Sequence, residues 1–310
     1  MESKLRIAVL GAGGVGGYYG GALARAGYPV ALLARGAHLA AIRERGLEVR
    51  TPEGPFTVRV EATDDAASLG EADVAIVAVK TFSLGEILPA ARLLAARGAA
   101  VLPFLNGVEA ADRLVAGGVA DAAVLGGLTQ VSVARVAPGV VERKSPFQNV
   151  ALGERTGGSS ARARRIVQAF RDAGANARES EEIVADLWRK FAFIAPMAAA
   201  CGLARAPIGP VRDAPYGKLL LSRAVREVLA VAQARGVRLP DDEGAKILAF
   251  MDGLGAGMKP SFLLDVEAGG PNELDDLSGA VSRLGREAGV ETPVHDTAVA
   301  ALGAAHPRPA

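Results

Sequence analysis

The first turn of this chain constrains it most. Leu5 to Leu10 reads as a short buried strand. It runs straight into Gly11-Ala12-Gly13-Gly14-Val15-Gly16, and then into a helical stretch reaching Gly27. A G-x-G-x-x-G pattern alone is weak, but a strand before it and a helix after it give it a mechanism. Gly11 permits the tight turn. The missing Cβ of Gly13 lets a pyrophosphate approach the backbone, and Gly16 lets the helix pack close to the strand. The first N–H groups of that helix then face the phosphates, with the positive end of the helix dipole behind them. The plainer alternative is a glycine-rich turn without a ligand. Strand, spacing and helix together weigh against it.

The next strand bears on the nucleotide. A second apolar run, Val30 to Ala34, ends at Arg35-Gly36. An acid at this place suits a ribose 2′-hydroxyl, whereas arginine suits a 2′-phosphate. NADP(H) is therefore expected, the alternative being a solvated arginine after a strand.

Composition adds limits. With 310 residues there is room for two domains, and a net charge of +1 gives no electrostatic case for a nucleic-acid or membrane-surface partner. The single cysteine, Cys201, excludes an internal disulfide. The N-terminal residues do not read as a signal peptide. Apolar runs are interrupted by charge, Gly or Pro before the roughly 20 residues a spanning helix needs. A cytoplasmic protein is expected.

Strand and helix patterns then alternate. Gly46–Arg50 and Phe56–Val60 read as strands around the turn at 51–55. Asp73–Val79 reads as a buried strand ending at Lys80, and a helix follows over Ser83–Ala96. Ala99–Leu102 is the next strand and leads to Asn106-Gly107. Such alternation implies a doubly wound, mostly parallel sheet, with ligands over the carboxyl ends of its strands, where Lys80 and Asn106 sit. Val124–Val133, Gly139–Arg143 and Asn149–Leu152 read as further strands in an antiparallel extension, with a helix at 161–173 and a strand at 175–178. From residue 180 the pattern is helical: 183–203, 218–235, 241–252 and 272–288. The expected organisation is an α/β dinucleotide-binding domain over 1–179 and an all-α substrate and catalytic domain over 180–310. The helical part is apolar enough to form a homodimer, but periodicity does not separate a core from an interface.

One helix carries a candidate acid. Lys190, Ile194 and Ala198 lie at i, i+4 and i+8 and share a face that is apolar beyond the lysine. An ammonium partly desolvated there has a lowered pKa and can donate a proton near neutrality. On spacing alone, a lysine that snorkels to water is the stronger reading. The three histidines, His38, His295 and His306, are scattered and read as surface or packed residues rather than metal ligands.

Across nearly its whole length the sequence resembles the ketopantoate reductases (2-dehydropantoate 2-reductases). The resemblance is carried by Gly11-x-Gly13-x-x-Gly16 with Arg35, Val79-Lys80, Leu105-Asn106-Gly107, Trp188-Arg189-Lys190, Lys259-Pro260-Ser261 running on to Asp265, and Asn272-Glu273-Leu274-Asp275. It implies a Rossmann domain followed by a helical domain, with an active site in the cleft between them. It also implies NADPH-dependent reduction of a 2-oxo acid, as in pantothenate and coenzyme A biosynthesis. By the same resemblance the glycine loop takes the pyrophosphate and Arg35 the 2′-phosphate. Lys80 and Asn106 contact the cofactor, with Asn106 near the nicotinamide and at the substrate. Lys190 is the general acid, Ser261 belongs to the substrate site, and Glu273 holds the nicotinamide side.

The match departs at three positions. Where the family usually carries asparagine, this chain has Ile194, Ala198 and Ile208. A pocket without those amides discriminates less by hydrogen bonding. A 2-oxo acid more apolar than ketopantoate is therefore a second expectation, with Arg205 or Arg212 as a carboxylate contact. Two further alternatives are an enzyme of the β-hydroxyacid dehydrogenase type and a non-catalytic NADPH-binding regulator.

Overall fold

A computed structural model describes residues 3–305. The chain forms two compact units. The first comprises Met1–Leu105 and Ala110–Ile183, the second Asn106–Glu109 and Val184–Ala310.

The core of the first unit is a parallel sheet. Its strands are β1 (Ile7–Leu10), β2 (Val30–Leu33), β5 (Glu61–Thr63), β6 (Val74–Val77) and β7 (Ala100–Pro103), in the order β5-β2-β1-β6-β7. Every neighbouring pair is parallel. The central strands read as unbroken apolar runs because helices cover both faces. Those helices include α1 (Gly14–Arg25), α2 (Gly36–Arg45) and α3 (Leu84–Ala96). The order reverses between β1 and β6, so the switch point lies where the glycine loop and Lys80 leave their strands. Edge strand β5 is too short and too polar to be legible from sequence.

Instead of the expected antiparallel extension, the remaining strands adjoin this sheet through an isolated parallel bridge between Val101 of β7 and Val124. Between β2 and β5 lie β3 (Leu47–Arg50) and β4 (Phe56–Val58). After the short helix α4 (Ala110–Ala116) come β8 (Leu125–Gln130), β9 (Val133–Ala137), β10 (Val140–Arg143) and β11 (Asn149–Glu154). Helix α5 (Ala161–Asp172) and β12 (Asn176–Glu179) complete the unit. They make two further sheets, β4-β3-β10-β9 and β12-β11-β8, each mixing one parallel pair with antiparallel ones. The run read as one strand over 124–133 breaks in two, because β8 and β9 join different sheets. Ser160 caps α5 by accepting a hydrogen bond from the Ala163 N–H at 3.1 Å.

The second unit is helical. Its helices are α6 (Ile183–Ala204), α7 (Ile208–Asp213), α8 (Gly217–Ala234), α9 (Glu243–Asp252), α10 (Ser261–Glu267), α11 (Ser278–Ala288) and α12 (Pro293–Ala305). Residues 272–277, expected to be helical, are instead a turn: the Asn272 side chain accepts from the Leu274 N–H, a local bond that competes with helix. By length and composition α6 is apolar enough to cross a membrane, although Asp186, Arg189, Lys190 and Pro196 interrupt its apolar run as the sequence showed. Most of its apolar stretch is buried inside the unit, as in a core helix. His295 and Cys201 are fully buried, and His306 lies outside the described residues.

Candidate active site

The glycine loop sits as its spacing demands. Gly11 has φ +102°, and a Cβ there would come within 2.5 Å of Val79 Cγ1. A Cβ on Gly16 would strike the Gly11 carbonyl oxygen at 2.0 Å. Gly13 faces open space, with no atom within 4 Å of its Cβ position. Gly14 answers a different need, since its Cβ would lie 2.7 Å from the Val133 carbonyl oxygen of β9. Helix α1 begins with no side-chain cap and no acid in its first turn. Its uncovered N–H groups beside the open face of Gly13 fit a pyrophosphate. Ala12 and Gly16 are buried and Val15 is half-buried against the core.

Arg35 lies at the end of β2 as expected, largely exposed. It is paired at 2.5 Å with Glu86 in the first turn of α3, so a 2′-phosphate would have to replace that carboxylate. Lys80 follows β6 and is half-buried.

In the second unit the structure joins Lys190, Asn106 and Glu273. The Lys190 ammonium donates to Asn106 Oδ1 at 3.1 Å, and Asn106 Nδ2 donates to Glu273 Oε2 at 3.1 Å. The amide is oriented by both bonds, its oxygen toward the cation and its nitrogen toward the carboxylate. Desolvation lowers the Lys190 pKa to about 8, opposed by the charge of Glu273. Asn106 takes one of three ammonium donors and links the lysine to the carboxylate.

Local sequence explains why these groups meet. Gly107 has φ +89° and packs its α-carbon toward the Asp276 carbonyl, which a Cβ would approach to 3.0 Å. The turn at 272–277 is closed by the Asp276 and Leu277 N–H groups donating to the Glu273 carbonyl, which leaves Glu273 only 2% exposed. Arg283 of α11 holds Glu109 at 2.5 Å. On α6, Arg189 bridges Asp186 at 2.8 Å and Glu243 of α9 at 3.3 Å, while Trp188 packs edge-on against Phe191. These contacts fix the rotation of the helix that presents Lys190.

Other expectations fare differently. Ser261 stands exposed at the start of α10, outside this hydrogen-bonded group. Ala198 and Ile208 are sealed in the core, and only Ile194 of the three apolar replacements is half-buried. Arg212 caps α9 through the carbonyls of Met251, Asp252 and Leu254, and its Nε donates to the Asp213 carboxylate at 3.1 Å. Arg205 is exposed at the end of α6. The parts played by Gly107, Asn272 and Arg189 were not singled out from sequence. A glycine after Asn106, and an asparagine two residues before a buried turn, were the available signals.

The family model described as Ketopantoate reductase PanE/ApbA matches residues 7–157, and the model for its C-terminal part matches residues 182–306. A 2-dehydropantoate 2-reductase of Halobacterium salinarum is 32% identical over 296 residues, 94% of this chain and 95% of its own. The crystal structure of 2-dehydropantoate 2-reductase from Geobacter metallireducens is 28% identical, with a TM-score of 0.89 over 97% of this chain and 100% of that one. D-mandelate dehydrogenase, solved with NADH and anilino(oxo)acetate, shares the fold at a TM-score of 0.87 and 22% identity, covering 97% of this chain and 98% of its own. With both of its parts matched and near-complete coverage by relatives, the chain belongs to the ketopantoate reductase family of oxidoreductases.

Proposed function

We propose that this protein reduces the ketone of a 2-oxo acid to the 2-hydroxy acid with NADPH, in the cytoplasm, with 2-dehydropantoate as the foremost substrate. The observation that carries the reading is the Lys190–Asn106–Glu273 chain, with the lysine pKa lowered to about 8. A bound nicotinamide would supply the hydride. Gly11 to Gly16 would hold its pyrophosphate, Arg35 the 2′-phosphate, and Lys80, Asn106 and Glu273 its remaining polar groups. Negative charge builds on the ketone oxygen during reduction, and the Lys190 ammonium stabilises that charge more in the transition state than before it. The same group then gives its proton to the alkoxide. Ser261 would contact the substrate.

The test is NADPH consumption with ketopantoate, for the wild type and Lys190→Ala. Turnover that falls about 10²- to 10⁴-fold in the variant supports the reading. Cofactor binding without turnover on any 2-oxo acid would sink it. A second reading, a more apolar 2-oxo acid, is favoured by Ile194, half-buried one turn beyond Lys190 on α6. A higher kcat/KM for branched apolar 2-oxo acids than for ketopantoate would select it.

A further inference from the structure

The glycine loop is held from behind by a histidine. His38, on the first turn of α2, is 5% exposed. Its Nε2 lies 2.7 Å from the Ala12 carbonyl oxygen, and its Nδ1 lies 2.9 Å from the backbone nitrogen of Gly139 in the β9–β10 turn. The Gly139 N–H can only donate, so Nδ1 is the bare nitrogen. Nε2 therefore carries the hydrogen and donates to Ala12. Both ring nitrogens are engaged, and the ring is neutral. Gly139 suits this close approach, because its φ is +74° and a Cβ there would meet Ala41 of α2 at 2.9 Å.

Ala12 lies between the first two glycines of the loop. Its carbonyl and the Gly13 N–H belong to one planar trans peptide, so they point in opposite directions. Anchoring the carbonyl on His38 fixes the Gly13 N–H on the other side, at the residue that faces open space. We propose that neutral His38 is a positioning residue for the dinucleotide, clamping the loop to the β9–β10 turn, and that protonation of its ring releases the clamp and weakens cofactor binding. The inference rests on the reading that the first unit binds NADP(H).

A proton on Nδ1 would confront the Gly139 N–H with a second donor. Burial disfavours the cation and lowers the His38 pKa, and the nearby charge of Arg135 on β9 acts in the same direction. Arg45 of α2 also faces this turn and donates to the Pro138 carbonyl at 3.4 Å. The clamp therefore holds at neutral pH and opens only below about 6.5, the ordinary histidine value.

Two variants separate the two bonds. His38→Gln keeps a donor long enough for Ala12 and cannot titrate. His38→Asn keeps an acceptor near Gly139 but falls short of Ala12. Calorimetric titration with NADP+ between about pH 5 and 8 gives the readout. The wild-type Kd is expected to rise on acidification, whereas His38→Gln, which lacks the Nδ1 acceptor for Gly139, is expected to bind about three- to tenfold more weakly at neutral pH and to show a flatter profile. His38→Asn is expected to bind about five- to tenfold more weakly at neutral pH. Parallel wild-type and His38→Gln profiles would overturn the proposal, as would an Asn variant that binds like wild type. A measurement on wild type alone guards against variants that fail to fold. By reciprocity, saturating NADP+ must push the His38 pKa further down in an NMR titration of the ring, and an unchanged titration overturns the clamp. Wild type that binds no NADP+ at any pH would instead overturn the dinucleotide reading beneath it, and the clamp with it.

Discussion

At the scale of single residues, the chemistry rests on how far the environment moves one proton. Lys190 is lowered to about 8 by desolvation, and the charge of Glu273 works against that fall. A general acid acts while protonated, so kcat/KM should decline as pH rises through about 8, well below the ordinary lysine range. Glu273→Gln removes the opposing charge and should move that basic limb to lower pH. A variant that merely lost structure would lower the rate without moving the limb. Stopped-flow pH profiles of the two proteins separate these outcomes, and an unmoved limb would remove Glu273 from any role in tuning the acid. Lys190 was legible in sequence as a candidate because its helix face is apolar. Asn106 and Glu273 were legible as site residues, but not as its hydrogen-bonded chain, since they lie 84 and 167 residues away from Lys190 and Asn106 in turn.

At the scale of elements, the glycine loop shows two kinds of constraint within four residues. Gly13 faces open space, whereas a Cβ at Gly14 would press on the backbone of β9, which cannot step aside cheaply. Gly14→Ala should therefore cost about 1–3 kcal/mol of stability in the absence of any cofactor. Gly13→Ala should leave the urea midpoint unchanged and weaken NADP+ binding. Equal destabilisation by the two substitutions would show that loop strain, rather than the neighbouring sheet, sets the requirement. The G-x-G-x-x-G spacing announces the loop but says nothing of Gly14, because its neighbour Val133 arrives from a different sheet, far along the chain.

At the scale of the whole molecule, buried histidines make stability depend on pH. His295 is fully buried, with Nε2 facing the Ala224 carbonyl and Nδ1 facing the Ser278 hydroxyl, and burial pushes its pKa down to about 4. The unfolded chain binds that proton near 6.5, so between these values it holds more protons than the folded one. The contribution is complete above about 6.5 and is lost as pH falls toward 4, on the order of 3 kcal/mol for the full span. Urea midpoints should drop over that interval, and His295→Gln should shrink the drop. The same drop in both proteins would assign it to the carboxylates instead.

The amino-acid sequence by itself determined the parallel sheet with its glycine loop, the helical character of the second half, and the family. Those features are written in local periods: unbroken apolar runs for strands covered on both faces, and 3.6-residue spacing for helices. Tertiary structure alone decided the rest. It divided the middle strands between two further sheets, made the 272–277 segment a turn that buries Glu273, and consigned Ala198 and Ile208 to the core. It also turned His38 from a merely packed residue into the bridge between Ala12 and Gly139. Each of these depends on partners distant in the chain, and a local pattern records which face a residue presents but not what meets it there.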